Sequence, residues 1–328
     1  MTHTSNLKKS LYWEKQPVGI KCLLCPNYCL IKDSERGICR KRVNFKDVLY
    51  SENYAETISL NIDPLEKKPL YHFYPAEYVL SLGANSCNLT CKFCQNHSSS
   101  QIDCVTQKIS PQDLIGVCHQ KSIKHVAFTY TEPFTWFEYI FDAAKLLYER
   151  NISVILVTNG YVNLEPLTDL LPFISAMNID IKAFSDKFYS DICGGKIEPV
   201  LETIKFANTR THIELTLLLI ETLNDDENEL HSLFSFVSSI NKKMPLHISK
   251  YFPRYNLKIN ETSENKLLNA AQIAKKYLNY VYIGNMKSDF NNTYCPKCDI
   301  LLIERTSFKT NMLNLKKGSC ARCGFEVL

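Results

Sequence analysis

Between residues 78 and 283 the chain alternates short, nearly continuous apolar runs with longer windows whose apolar residues recur at helical spacing. The runs at 78–82, 125–130, 153–158, 176–182, 212–220, 247–252 and 280–283 are predicted as strands, and the windows at 110–121, 134–150, 198–208, 226–241 and 263–277 as helices. Ser110 followed by Pro111 is a good helix start, because proline fits the first helical position, where the backbone N–H has no partner in the helix. Strands that are apolar along their whole length and separated by helices imply a parallel sheet covered by helices. The fold class is therefore α/β, and spacing alone leaves a barrel and a doubly wound sheet both open.

In either fold, ligands bind beyond the carboxyl ends of the strands. Polar residues near those ends are the candidates: Tyr130, Thr131 and Glu132 on the second strand, Thr158 and Asn159 on the third, and Asp180 and Lys182 on the fourth. Glu214 and Thr216 follow on the fifth, His247 and Ser249 on the sixth, and Tyr282, Gly284 and Asn285 at the last, which is expected to close a barrel. Strand alternation puts Asp180 and Lys182 on one face, and Glu214 and Thr216 on one face. Two opposite charges in a barrel mouth are expensive unless paired or bound to ligand, so a site competes here with a structural ion pair. Asn159 could equally serve a plain strand-to-helix turn, and a lone histidine such as His247 is usually a satisfied core residue.

The 328 residues suffice for one large domain with small modules, and 45% hydrophobic content gives it a full core. A net charge of +4 makes no demand for nucleic-acid binding. Arg40, Lys41, Arg42 and Lys46 form a basic run expected to be a solvated face. The stretch from Met1 to Lys15 has no apolar signal-like core, and no run approaches the roughly 20 apolar residues of a membrane span. A cytoplasmic protein is expected.

Fourteen cysteines change the picture, because eleven of them fall in three tight groups, a pattern of metal ligation rather than of secreted disulfides. That usage fits a reducing, low-oxygen compartment. Cys87, Cys91 and Cys94 share one loop straight after the first strand; they can hold three corners of a cubane iron-sulfur cluster and leave one iron open. Zinc or three buried thiols are the alternatives, with Cys104 the only nearby fourth ligand. Cys22, Cys25, Cys29 and Cys39 suffice for a closed metal site, where zinc and a second cluster are both chemically possible, with reduced cysteines lining a small core as the alternative. Cys295, Cys298, Cys320 and Cys323 form two Cys-x2-Cys knuckles of zinc-ribbon or rubredoxin type, with zinc favoured over iron. Asp299 stands where the first knuckle would carry glycine; Gly324 follows the second. Lys309, Lys316 and Lys317 between the knuckles permit nucleic-acid contact, yet docking or capping is the better reading. Cys118 reads as core; Cys193, beside Gly194 and Gly195, could line the mouth, with core or surface the better reading.

The Cys-x3-Cys-x2-Cys loop, CNLTCKFC, resembles the signature of the radical S-adenosylmethionine (SAM) superfamily. The cysteine-rich N-terminal segment, the DPLEKKPLYHFYP stretch and the CNLTCKFCQNH loop together look like the radical SAM component of the AmmeMemoRadiSam system, a relative of pyruvate formate-lyase activating enzymes. This resemblance implies a partial (β/α)6 barrel over 77–289, after a cysteine-rich segment and connector at 1–76 and before a zinc-ribbon-like module at 290–328. It also implies a [4Fe-4S] cluster on Cys87, Cys91 and Cys94 whose open iron binds SAM. Reductive cleavage would yield a 5′-deoxyadenosyl radical acting on an unknown substrate, with a polypeptide among the candidates. Phe93 is implied near the adenine, with Thr131, Glu132, Asn159, Asp180, Lys182, Thr216 and His247 around SAM. Asn224 and Asp225 match the family pattern while Glu221 and Thr222 replace its Pro-Gly turn. Asp63, Glu66, Lys67, Lys68 and His72 are family-like positions without assigned roles. A low-potential electron donor is required, and Memo-like and AMMECR-type proteins are implied partners. The competing readings are a glycyl radical enzyme activase and a zinc-binding adaptor without catalysis. The first usually carries extra ferredoxin cysteines after the loop, where this chain has only Cys104 and Cys118.

Overall fold

The computed structural model describes residues 7–306 and 309–328. Eight strands form the central sheet: β1 (Leu60–Pro64), β2 (Tyr78–Leu82), β3 (His125–Phe128), β4 (Ser153–Thr158), β5 (Ala176–Asp180), β6 (His212–Leu219), β7 (Leu246–Lys250) and β8 (Val281–Gly284). They lie side by side in chain order, with β2 to β8 parallel and β1 antiparallel to β2. Helices α1 (Pro111–Lys121), α2 (Phe137–Tyr148), α3 (Leu164–Leu170), α4 (Glu198–Asn208), α5 (Glu227–Ile240) and α6 (Glu264–Lys275) make the crossovers. Because every crossover runs the same way along the sheet and such connections are right-handed, the helices share one face. Ile213, Leu215, Leu217 and Leu219 of β6 join the core cluster that also holds Val200 and Ile204 of α4 and Leu230 and Phe234 of α5.

Helix starts follow local chemistry. Ser110 and Asp113 form a reciprocal capping box at α1, and Asp226 and Ser263 cap α5 and α6. Helix α3 escaped the periodicity reading because Pro166 lies inside it and Pro172 ends it. The connector before residue 77 also differs from expectation: its segment Leu60–Pro64 is a sheet strand, at an edge where Pro64 costs no ladder bond.

Tyr282, Gly284 and Asn285 do not close a barrel. Strands β8 and β1 are the two edges of an open sheet, with no pairing between them among the described residues. The space at β8 is taken instead by the C-terminal module, whose ladder of Thr293–Tyr294, Leu301–Thr306 and Lys309–Met312 packs Cys295, Leu302, Ile303 and Val327 against Tyr280 and Tyr282.

The face of the sheet opposite the helices needs its own filling. At its amino end this comes from the DPLEKKPLYHFYP stretch, held by Glu214 of β6. The Glu214 carboxylate is fully buried and accepts from the backbone N–H of Tyr71 (2.9 Å) and His72 (2.7 Å). It also pairs with Nε2 of His212 (3.1 Å) and His247 (2.7 Å). Burial pushes this carboxyl up, but the two histidines outweigh burial and hold it well below the usual range. His72 in turn lies between the Tyr282 hydroxyl (2.6 Å) and the Val327 carbonyl (3.2 Å).

The N-terminal residues form small antiparallel ladders fastened to α2. Arg42 is buried against Glu138, and its Nη1 donates to the Leu11 carbonyl at 2.8 Å. The expected solvated basic face is therefore corrected: Arg42 is a core ion, and Arg40 and Lys41 both pair with Asp103. No helix among the described residues is long and apolar enough to cross a membrane.

Burial lowers the His72 pKa to about 4, against the raising pull of Glu214. The unfolded chain takes up this proton near pH 6.5 while the folded chain refuses it, so stability falls as pH drops through that window. We expect the part of the stability loss between pH 7 and pH 5 that belongs to His72 to be about 2 kcal/mol. Urea unfolding at both pH values should show a correspondingly smaller loss in His72→Gln; an equal loss would refute the assignment.

Candidate functional site

At the carboxyl end of the sheet a cavity of about 360 Å³ opens over the loop that follows β2. Cys87, Cys91 and Cys94 line it together with Phe93, Thr131, Glu132, Asn159, Asp180, Lys182 and Thr216. Four separate strand ends thus converge on the three cysteines, as the fold class predicts for a ligand site.

The loop has almost no secondary structure and is held from outside. Asn88 Nδ2 donates to the Tyr161 carbonyl at 2.7 Å, and Gln101 Nε2 to the Leu89 carbonyl at 2.9 Å. A π-helical turn, Tyr189–Cys193, lies against it: the backbone N–H groups of Thr90 and Lys92 donate to the carbonyls of Cys193 and Ile192, both at 2.9 Å. Gly194, at φ +73°, and Gly195 allow this approach. A Cβ on Gly194 would lie 2.4 Å from Thr90 Oγ1, and one on Gly195 2.6 Å from Leu89 Cδ2. Cys193 is fully buried, and its thiol hydrogen-bonds the Cys91 thiol, which pushes the latter up ahead of burial itself. Burial also raises Cys87 and Cys94. Neutral thiols are what such a pocket favours in the absence of a bound metal.

Glu132 begins the turn after β3. Its Oε1 accepts from Phe134 N (3.0 Å) and Thr158 Oγ1 (2.7 Å), and its Oε2 from Asn159 N (2.8 Å). Burial raises this carboxyl to about 7 although all three bonds oppose the shift. One acceptor position remains on Oε2. Just before it, Tyr130 adopts φ +70°, a conformation costing about 1–3 kcal/mol for a non-glycine residue and typical of functional turns. Asn159 Nδ2 reaches Cys87 Sγ at 3.8 Å and Asn88 Oδ1 at 2.9 Å. Lys182 Nζ lies 3.0 Å from Asp180 Oδ2 and 5.8 Å from the Phe93 ring centre. Burial opposes its charge, yet Asp180 and Cys91 outweigh burial and raise its pKa. Thr216 Oγ1 donates to Asn178 Oδ1 at 2.8 Å.

His247 is not brought to this cavity. Parity put it on the correct face, but β7 begins at Leu246, so His247 lies toward the amino end and spends its Nε2 on Glu214. Ser249, one layer higher, lines the cavity instead. His247 borders a neighbouring cavity with Tyr71 and Arg305; the two cavities share Lys67, Ser249 and Asn285. Lys67 and Lys68 are lining residues that sequence reasoning left without a role. Lys68 is almost fully buried, its charge disfavoured by burial and kept by Asp63 at 2.8 Å. The adjacent Asp63 and the paired lysines were the available signal.

The C-terminal cysteines are the one group among the described residues whose candidate ligand atoms all lie within 4.8 Å of one another. Sγ separations of 3.4 and 3.7 Å suit a single tetrahedral ion, whose thiolates stand about 3.8 Å apart for a metal–sulfur bond of about 2.3 Å. Asp299 (φ +54°) repeats the left-handed turn of Gly324 (φ +72°), and each donates its N–H at 2.9 Å to the carbonyl of its knuckle's first cysteine. Cys104 is exposed and Cys118 buried.

Gly194→Ala should cost about 1–3 kcal/mol, because it adds strain at positive φ to a clash with Thr90. Gly116→Ala, inside α1 with open space around it, should stabilise by about 0.5–1 kcal/mol. Chemical denaturation of both variants checks the contrast; equal effects would mean that the π-helical turn does not brace the loop.

The sequence profile of the Radical SAM superfamily matches residues 82–234, which span the loop and the strand ends described above. An uncharacterised protein of Methanocaldococcus jannaschii is 37% identical over 332 aligned positions, covering 98% of this chain and 99% of that one. A second protein of that organism, named as a glycyl-radical enzyme activating enzyme, is 27% identical over 62% of this chain and 79% of its own. Among solved structures, a radical SAM methyltransferase from Sphaerobacter thermophilus shares the fold, with a TM-score of 0.52 and 14% identity over 65% of this chain and 68% of that one. With the profile beginning at the three-cysteine loop and running through the strand ends that converge on it, the chain belongs to the radical SAM superfamily.

Proposed function

We propose that this protein is a radical SAM enzyme built on a partial barrel, with a [4Fe-4S] cluster on Cys87, Cys91 and Cys94. The observation that carries this reading is the convergence of three cysteines and four polar strand ends on one cavity. The fit is supported by the donor set: the three cysteines of one loop line the cavity, and Asn159 Nδ2 stands 3.8 Å from Cys87 Sγ. The bound cluster and SAM supply a one-electron reductive cleavage that releases a 5′-deoxyadenosyl radical for hydrogen abstraction.

The chain's own residues bind and orient. Asp180 and Lys182 present opposite charges to the cavity, matching the ammonium and carboxylate of an amino-acid ligand. Glu132 offers its remaining acceptor position, Asn159 its amide beside Cys87, and Thr131 and Thr216 their hydroxyl oxygens. Phe93 provides an apolar ring for the adenine. Substrate reaches the cavity from the open side of the sheet, where the two cavities meet between β1 and β8; an opening of that kind suits a polypeptide or another large molecule. A place in the AmmeMemoRadiSam system, with Memo-like and AMMECR-type partners, a low-potential electron donor and a cytoplasmic location, completes the reading. The likeness to a protein named as a glycyl-radical enzyme activating enzyme favours that activity as the second reading. The C-terminal knuckles are proposed to hold zinc, and the four N-terminal cysteines a further metal.

Anaerobically reconstituted protein given dithionite and SAM should release 5′-deoxyadenosine, identified by chromatography, and Cys87→Ala should release none. Lys182→Ala should weaken SAM binding by about 10- to 100-fold, the loss of one charge-assisted contact. Absence of any nucleoside product from the reconstituted enzyme would sink the proposal. Metal analysis should find one zinc per chain that is lost in Cys298→Ala and kept in Cys87→Ala; iron there, or no metal, would contradict the zinc assignment.

A further inference from the structure

Cys22, Cys25, Cys29 and Cys39 surround a small cavity that they line with Leu24, Arg42 and Thr135. Their sulfurs are drawn into one space, yet no three of them meet the 4.8 Å mutual spacing that the C-terminal four satisfy. A single tetrahedral ion needs thiolates about 3.8 Å apart. A four-iron cluster places a whole metal-sulfide cube between them and spreads them further. By this measure the N-terminal set is not an ion site of the C-terminal kind. The wall also carries donors suited to sulfur: Ile38 N reaches Cys29 Sγ at 3.5 Å and Arg42 Nη1 reaches Cys22 Sγ at 3.9 Å. Arg42 Nε is buried without a partner, an orphan that a cluster sulfide would satisfy.

This cavity is joined to the Cys87 loop on both sides of Cys87. Asn27, two residues after Cys25, donates from Nδ2 to the carbonyl of Asn88 at 2.7 Å, and Asn88 follows Cys87. Thr135, in the cavity wall, shares a 2.6 Å hydrogen bond with Ser86, which precedes Cys87. On the outer side Cys29 is the partly exposed ligand, and Tyr28, Leu30 and Ile38 around it are all exposed apolar residues, about half accessible each.

We propose that Cys22, Cys25, Cys29 and Cys39 hold a second [4Fe-4S] cluster that relays single electrons from the surface to the Cys87 loop. A low-potential one-electron carrier, a flavodoxin hydroquinone or a reduced ferredoxin, loses one electron to this cluster at the Cys29 side. The same electron then passes along the Asn27–Asn88 contact, with no bond made or broken and no proton moved. The relay rests on the function proposed above; the identity of the N-terminal metal does not.

The two parts are tested separately on full-length, anaerobically purified protein. A variant with Cys87, Cys91 and Cys94 all changed to alanine should still hold about four irons and four sulfides per chain and give the EPR signal of a reduced cubane with dithionite. A second zinc in their place, or no metal, overturns the cluster. For the relay, Asn27→Leu keeps every cysteine and breaks the contact to Asn88. Its iron content should be unchanged, and the loop cluster should be reduced by dithionite as in the wild type but several-fold more slowly by flavodoxin hydroquinone. Equal slowing with both reductants, or slowing with neither, overturns the relay; absence of SAM cleavage alone would bear only on the function proposed above.

Discussion

A single carboxylate, Glu214, governs how the parts of this molecule meet. An open sheet with all its helices on one face leaves the other face without a layer, and a charge placed there in isolation would be prohibitively costly. Glu214 is tolerated because four donors converge on it, two from backbone N–H groups of a loop and two from histidines of β6 and β7. The loop so captured supplies the missing layer at the amino end, and its His72 reaches onward to β8 and to the C-terminal module. The carboxyl end is thereby left open as a cavity, and that is where the cysteines of the loop after β2 stand.

The cysteine loop shows the complementary strategy. It gains little from its own backbone, so its geometry is imposed by neighbours: an asparagine and a glutamine clasping its carbonyls, and a π-helical turn packed so closely that two glycines are required. Such bracing is what a site needs if its ligands are to keep their places before and after a cluster is bound. It also explains why the ion pair Asp180–Lys182 sits where it does, with Tyr189 of the same turn accepting the Lys182 N–H at 3.1 Å.

Much of this was legible in the chain. Uniformly apolar runs located the seven parallel strands to within a few residues, because strands buried on both faces leave little ambiguity about their period. Cysteine spacing separated three groups, and strand-end polarity picked out Glu132, Asn159, Asp180, Lys182 and Thr216 among the residues that line the cavity. What escaped depends on tertiary pairing. Strand β1 is an edge with a mixed polar face and ends in proline, so nothing in it reads as a strand. Arg42 looks like one cation of a basic run until Glu138, 96 positions away, is set against it. His247 had the right parity, but parity does not tell how far along a strand a residue lies. The last strand reads as a barrel closure, whereas Tyr282 turns to His72 and Thr293.

The bond from the His72 ring to the Val327 carbonyl spans 255 positions of chain. During synthesis the amino-terminal residues emerge first and begin to fold while the rest is still being made. Here the buried inner layer cannot be completed until residue 327 has left the ribosome, so the nascent chain exposes its cysteines in an unfinished sheet for most of its translation. The order of assembly is written into which end of the chain is tucked beneath the other.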